Sequence, residues 1–283
     1  MVYLPAVEWK GKTVLITGAT RGIGRAIGIR LAESGANIGV IGKTDQPHPK
    51  LAGTVHTAAA DMDAAGGSGL ALVCDVRDED AVKQTVETLA DRYGGIDVVI
   101  NNASAISLTN TESTTMKRYD LMQSVNARGT FLVSKTCLPY LKQSEHAHIL
   151  TMSPPLDMQP KWFAGHVAYT ISKFGMSMVT MGLAAELQDD GICANTLWPL
   201  STIATAAVNN LLGGDTMMQM SRTPAIVADA AYEILSGKQS GKHFIDEDVL
   251  RDAGTSDFSK YRVNPKQPLM VDLFVEPQRV KGK

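Results

Sequence analysis

Two residues four apart, Tyr169 and Lys173, could carry proton chemistry in this chain. On a helix that spacing puts both side chains on one face. A nearby ammonium favours phenolate, so Lys173 is expected to lower the pKa of Tyr169 toward working pH. Such a phenol can give a proton or take one. The pattern is short, and its place gives it weight: it follows a fifth apolar run, near the start of a helical stretch. A second constellation, Thr17-Gly18-Ala19-Thr20-Arg21-Gly22-Ile23-Gly24, follows the first apolar run. Its glycines permit a tight turn and close backbone approach to a pyrophosphate. The helix after it presents free N–H groups and a partial positive charge.

These residues need a scaffold, and the pattern of the chain supplies one. Apolar runs at 13–17, 37–41, 70–74, 97–101, 148–152 and 192–197 read as strands, with a seventh at 242–246. Helical periodicity falls between them, at 22–34, 54–65, 78–93, 116–142, 167–188 and 226–236, with Asp78 as an N-cap. Repeated strand–helix–strand units predict an α/β fold, a doubly wound parallel sheet of about seven strands with helices on both faces. The strands are near-continuous apolar runs, as covered sheets require. Such sheets bind ligands at the carboxyl ends of their strands, where both constellations fall. Residues 1–250 are expected to form one domain. Residues 251–283 have no clear period and carry Pro265, Pro268 and Pro277; they predict a tail packed on the body or on a neighbouring subunit.

Composition narrows the class. The 283 residues are 44% hydrophobic and 20% charged, which argues against a disordered or fibrous chain. Lys plus Arg number 27 and Asp plus Glu 29, a net charge of -2 that gives no footprint for nucleic acid or an anionic membrane. No apolar run approaches a membrane span, and the first residues lack a signal-peptide pattern. Cys74, Cys137 and Cys193 are odd in number and widely spaced, which predicts inert core thiols in a reducing compartment, the cytoplasm. His146 and His148 share a strand face without a third ligand nearby, so no metal is expected.

The spacing Gly18-x-x-x-Gly22-x-Gly24 resembles that of the short-chain dehydrogenase/reductase family. Asp75-Val76 look like its adenine-contacting pair, and Asn101-Asn102-Ala103-Ser104 like its Asn-Asn-Ala-Gly segment. Asn126 lies at its mid-helix asparagine, Tyr169-Thr170-Ile171-Ser172-Lys173 matches Tyr-x-x-x-Lys, and Pro199 sits at its Pro-Gly turn. The resemblance covers about residues 10–250. Lys43 to Lys50, Asn101 to Asn110 and Ser153-Pro154-Pro155 look like the hydroxysteroid dehydrogenase-like 2 group within the family. Members of that group often add a sterol-carrier domain. This chain is expected to lack one, and its end, Val280-Lys281-Gly282-Lys283, lacks a peroxisomal address.

The resemblance implies a Rossmann-type fold and hydride transfer between nicotinamide and an alcohol or carbonyl. Tyr169 would exchange the proton, and Lys173 would also hold the nicotinamide ribose. Asn126 would carry a water linking Lys173 to solvent. The glycine segment from Gly18 to Gly24, with Asp75, Val76, Asn102, Ala103, Ser104, Pro199, Ile203 and Thr205, would bind the dinucleotide. Leu200 stands where the family has glycine, and Ile203-Ala204-Thr205 matches Ile-x-Thr one residue late. Pro154 stands where the family has its catalytic serine. Ser153 is therefore either the substrate-orienting hydroxyl or a strand-end hydroxyl bonded to local backbone.

An NAD site wants a carboxylate after the second strand. Gly42 occupies that position, Lys43 follows it, and Arg21 lies in the glycine segment. These cations suit a 2'-phosphate and predict NADP(H) over NAD; Asp45 opposes this if its loop swings inward. Met158, Trp162, Phe163, Trp198, Leu211, Leu212, Met217, Met218 and Met220 are candidate walls for a large apolar, lipid-like substrate. Two other readings stay open: a non-catalytic NADP-binding sensor or scaffold, and a reductase of activated double bonds. The family commonly pairs two long helices per subunit, here 116–142 and 167–188, which predicts a homodimer or homotetramer. Met176, Val179, Met181, Leu183 and Leu187 are the apolar surface expected there.

Overall fold

A computed structural model describes residues 8–49 and 52–280. The chain ends read for targeting signals, and Lys50, lie outside them in whole or in part. Seven strands form one sheet: β1 (Thr13–Thr17), β2 (Asn37–Gly42), β3 (Ser68–Val73), β4 (Val98–Asn101), β5 (His148–Thr151), β6 (Cys193–Trp198) and β7 (His243–Ile245). Their order is β3-β2-β1-β4-β5-β6-β7, and every pairing is parallel. The order reverses between β1 and β4, so a crevice opens at the carboxyl ends of those strands.

Alternation along each strand sorts its side chains to two faces. Val14 and Ile16 of β1 enter one core cluster, and Leu15 between them enters the other. The first face is covered by α1 (Gly22–Ala32), α2 (Val55–Ala64) and α8 (Ala225–Ser236), which supply Ile27, Leu31, Met62, Ile226 and Ile234. The second is covered by α3 (Glu79–Tyr93), α5 (Gly129–Leu141) and α6 (Val167–Glu186), which supply Val82, Leu89, Cys137 and Leu183. Asp78 caps α3 by accepting a hydrogen bond from the Ala81 N–H at 3.0 Å, and Thr54 caps α2 the same way from Thr57. All three cysteines are buried and unpaired.

Three expectations change. The stretch 116–142 is α4 (Met116–Met122) and α5 joined by a π-helical turn, Gln123–Arg128, which holds Asn126. Such turns gather at functional sites. β3 begins at Ser68, because an edge strand tolerates the half-buried Ser-Gly start that the apolar pattern passed over. On α6, Met176, Leu183 and Leu187 just beyond its end are core residues; the exposed apolar side chains are Val167, Ile171 and Met178.

Two short helices complete the set, α7 (Gly214–Gln219) and α9 (Asp246–Asp252). The segment after residue 250 runs back over the body. Phe258 and Tyr261 join the first cluster. Val271 pairs antiparallel with Ser201, and the Thr202 N–H donates to the Met270 carbonyl at 2.9 Å. Phe274 and Val275 enter a third cluster with Tyr169, Phe174 and Trp198.

Candidate active site

At the β1 end the glycine segment is shaped by what crosses it. Gly18 has φ +67, and a Cβ there would lie 2.9 Å from the Ala103 Cα. Ala103 and Asn102 follow β4, so only a residue without a side chain lets the two strand ends close on each other. Asn102 Nδ2 donates to the carbonyls of Thr17 and Gly18 at 2.9 and 3.0 Å. The Asn102 and Ala103 N–H groups both donate to Thr17 Oγ1 at 3.0 Å. Gly22 opens α1, and a Cβ there would lie 3.3 Å from the Thr205 methyl. Ala19 and Thr20 are buried, while Ile23 is partly so. The backbone around Gly18, Gly22 and Gly24 is thus bare at the start of a helix, a cradle for an anion.

The β2 end carries the adenosine-side candidates. A Cβ on Gly42 would lie 2.8 Å from Thr20 Cγ2, so a carboxylate-bearing residue does not fit there without displacing Thr20. Lys43 is 59% exposed, with its Nζ 3.6 Å from Asp75 Oδ2. Asp75 also receives Arg77, whose Nη2 donates at 2.6 Å; these contacts hold the Asp75 carboxyl below its ordinary pKa. Asp45 pairs outward with His56 at 2.7 Å and is not swung into the crevice. Arg21 is tied to the 44–53 loop: its Nε donates to the Ala52 carbonyl at 2.9 Å and its Nη2 to the Gly53 carbonyl at 2.8 Å. Val76 faces the second core cluster, and Ser104 is exposed.

The reaction end lies at the β5 terminus. Lys173 is buried, and its Nζ donates to the Met152 carbonyl at 2.5 Å. The ammonium also lies 5.1 Å from the Trp198 ring centre, a cation–π contact. Burial pulls the Lys173 pKa down to about 7, against the opposing pull of the Asp272 carboxylate. Tyr169 is 6% exposed. Burial pushes its phenol up, and the Asp272 charge adds to that. In the ligand-free chain, burial rather than the Lys173 charge governs the Tyr169 phenol, which lies above its ordinary pKa instead of below it.

Asn126 is fully buried and closes a loop rather than facing the crevice. Its Oδ1 accepts from the Ala105 N–H at 2.7 Å, and its Nδ2 donates to the Ala105 carbonyl at 3.0 Å and to Ser172 Oγ at 2.8 Å. Its side chain thus ties the segment after β4 to α6, one residue before Lys173. Ser153 is also fully buried, and its Oγ is bonded to Ser177 Oγ at 2.9 Å. Ser177 Oγ also lies 2.6 Å from the Pro154 carbonyl, so its one proton is shared between the two positions. In the ligand-free chain the Ser153 hydroxyl is therefore engaged by an α6 side chain 24 positions on.

After β6, Pro199 and Leu200 are buried. Leu200 is gripped on both sides: its N–H donates to Asp246 Oδ1 at 2.9 Å and its carbonyl accepts from the Asp272 N–H at 3.1 Å. Where the family has glycine, this chain uses that position to hold its tail. Ile203 is buried beside Arg222, and Thr205 Oγ1 accepts from the Val208 N–H at 3.4 Å.

Of the candidate pocket walls, Trp162, Phe163 and Trp198 lie with Tyr169, whereas Met158 and Leu211 are 62% and 63% exposed. The aromatic neighbour of Tyr169 that sequence reasoning missed is Phe274, a buried ring. Its ring stacks on Tyr169 at 6.3 Å between centres and meets Trp198 at 5.8 Å and Phe174 at 5.4 Å. Among the described residues it is the one non-glycine with positive φ, +66, a strain of about 1–3 kcal/mol that persists where surroundings dictate it. The available signal was the apolar run from Met270 to Val275, broken by a single acid, Asp272.

A switch-point cradle beside a buried tyrosine–lysine pair defines a dinucleotide-dependent oxidoreductase fold. Residues 12–213 match the family model described as short chain dehydrogenase. The chain belongs to that family, whose members bind a nicotinamide cofactor; solved neighbours include one complexed with NAD and one with NADP. It is 50% identical over 277 residues to hydroxysteroid dehydrogenase-like protein 2 of Homo sapiens, covering 96% of this chain and 66% of that protein. It is 50% identical over 268 residues to the Xenopus tropicalis protein of the same name, covering 94% of this chain and 64% of the relative. The chain thus spans about two thirds of those relatives. The crystal structure of a Xanthomonas campestris dehydrogenase is 49% identical and superposes with a TM-score of 0.93, over 95% of this chain and all of that one.

Proposed function

We propose that this chain is an NADP(H)-dependent oxidoreductase acting on the alcohol or carbonyl group of an apolar, lipid-like substrate. The observation that carries the reading is the Tyr169–Lys173 pair, buried among aromatic rings at the β5 end. When bound, the nicotinamide gives or takes the hydride. Tyr169, held protonated by its surroundings, gives its proton to the carbonyl oxygen or recovers it in the reverse direction. Lys173 holds the nicotinamide ribose and acts on the phenol through its charge. Asn126 fixes the segment after β4 against α6 and so positions Lys173. The preference for NADP(H) is supported by the crowding at Gly42, by exposed Lys43 and by the outward pairing of Asp45.

The test is NADPH oxidation by the purified chain against aldehydes, ketones and enoyl thioesters. Turnover of a ketone or aldehyde supports the reading, and turnover of enoyl thioesters alone replaces it with double-bond reduction. The inward turn of Ser153 favours a second reading, an NADP-binding sensor or scaffold. Tight NADPH binding with no turnover anywhere in the panel would establish that one.

For assembly we propose a homodimer or homotetramer built on α5 and α6. Phe131 is 51% exposed and Met178 52%, and Ile171 lies on the same helix; an apolar face of this kind suits a two-fold partner. Light scattering should give two or four times 30.3 kDa, and Met178→Asp should shift the population to monomer. Among the described residues no helix is long and apolar enough to cross a membrane. The three unpaired cysteines fit the cytoplasm.

A further inference from the structure

The stretch 202–205 belongs to no helix or strand, yet it reaches the cofactor end. The Thr205 methyl lies 3.3 Å from where a Cβ on Gly22 would sit, so the stretch rests at the mouth of the cradle. Arg222 holds its backbone on both sides of Ile203. The Arg222 N–H donates to the Thr202 carbonyl at 3.0 Å, and the Arg222 carbonyl accepts from the Ala204 N–H at 2.8 Å. Beside it, Ser221 Oγ and Thr202 Oγ1 share a hydrogen bond of 2.8 Å.

Arg222 is anchored in turn. Its guanidinium is buried, and its Nη2 donates to the equally buried Glu247 carboxylate. Glu247 also accepts from Arg251, at 2.7 Å from Nη2. The acid before it, Asp246, accepts from the Leu200 N–H at 2.9 Å. The first two residues of α9 thus grip the stretch after β6 twice, Asp246 directly and Glu247 through Arg222. We propose that Arg222, by its buried pair with Glu247, is a positioning residue that holds residues 202–205 in the shape receiving the nicotinamide half of the dinucleotide. This rests on the oxidoreductase reading, under which Ile203 and Thr205 meet the nicotinamide amide. A buried ion pair contributes little net stability over apolar residues of similar volume. What this one contributes is direction. Among the described residues the Arg222 Nε and Nη1 have no protein partner, so the side chain acts on Glu247 as a single point of charge.

The test compares a dinucleotide with its own adenosine half. Arg222→Met/Glu247→Met removes both charges together, and Arg251, 44% exposed, is released to solvent; the urea midpoint should stay near that of the unaltered chain. By calorimetry NADP+ should bind about tenfold more weakly, the loss expected when the stretch is competent about a tenth of the time. Binding of 2',5'-ADP, which lacks the nicotinamide half, should change by no more than about twofold. KM for NADPH should rise with Kd while kcat at saturation stays within about twofold, because bound cofactor restores the competent shape. Arg222→Lys keeps one charge on Glu247 and should bind NADP+ within about threefold of the unaltered chain. Should the double variant not fold, Glu247→Gln should show the same split at smaller size. Equal weakening of NADP+ and 2',5'-ADP, unchanged binding of both, or a lysine variant as weak as the double one would overturn the proposal. NAD+ and AMP are titrated alongside; tighter NAD+ binding defeats the preference for NADP(H), and the split is then read on that pair. Turnover of aldehydes and ketones tests the oxidoreductase reading separately. Split binding without turnover keeps Arg222 in its role and defeats that reading, whereas turnover without the split does the reverse.

Discussion

The two ends of the site are built on different plans. The cofactor end is built on bare backbone closely packed by small neighbours: Gly18 against the Ala103 backbone, Gly42 against the Thr20 methyl, and the Asn102 amide binding the carbonyls of Thr17 and Gly18. The reaction end is made of large side chains drawn from distant parts of the chain, with Tyr169 and Lys173 of α6 under Trp198 of β6 and Phe274 of the tail. A cradle made of small residues can receive any dinucleotide of the right shape, and a single Cβ closes it. A wall made of side chains can be rebuilt by substitution, so it sets what reacts. The cofactor end defines the class of chemistry, and the reaction end defines its object.

This division predicts that substitutions at the reaction end remove turnover while sparing the cofactor. The largest effect is expected at Tyr169→Phe, which should lower kcat by about 10²–10⁴-fold, the range of a lost general acid. NADPH affinity should stay within a few-fold, measured by fluorescence titration. Lys173→Ala should impair both, since that residue serves both ends. If Tyr169→Phe keeps most activity, the proton is handled elsewhere and the division fails.

The reverse experiment is at Gly24. A Cβ there would lie 2.5 Å from Asn102 Nδ2 and 2.8 Å from the Gly18 carbonyl. Gly24→Ala should push Asn102 off its carbonyls and cost about 1–3 kcal/mol of stability, seen as a lower urea midpoint. Cofactor affinity should fall with it. An intact midpoint with intact affinity would mean that the cradle tolerates side chains after all.

A smaller and more selective effect belongs to Lys43. Lys43→Ala should weaken NADPH by on the order of 1.5–3 kcal/mol, the worth of a charge-assisted contact to phosphate. NADH should change much less. Equal losses for both would remove Lys43 from the cofactor end and leave it as the exposed partner of Asp75.

How much of this was legible in the sequence follows from the same contrast. Gly18, Gly22 and Gly24 lie within seven residues, between a strand and a helix, so their purpose could be read locally. The doubly wound class and most of its strands were visible as well, because both-face burial writes continuous apolar runs; β3 starts two residues before its apolar run, and the three-residue β7 was the faintest. Ser153 was ambiguous because which way a strand-end hydroxyl turns depends on Ser177, 24 positions away. The ionisation of Tyr169 was misread because spacing reports the lysine but not the burial. The tail was opaque because it has no regular period: its partners are Ser201, Leu200 and Trp198, about 70 residues earlier.

The smallest effect isolates what holds that tail in place. Phe274 adopts φ +66, a region that costs an ordinary residue about 1–2 kcal/mol and costs glycine nothing. Either Phe274→Ala or Phe274→Gly removes the ring, so both should lose the same packing against Tyr169 and Trp198. They differ in the backbone alone. At most positions glycine is the less stable of the two, because its unfolded chain is freer. Here the order should invert, with Phe274→Gly more stable than Phe274→Ala by up to about 1 kcal/mol in urea unfolding. An alanine variant as stable as the glycine one would show that residue 274 relaxes once its ring is gone. The ring would then be what holds the strained backbone. The predicted inversion instead assigns that work to the backbone pairing of residues 270–272 with 200–202, which places residue 274 over Tyr169 whatever its side chain.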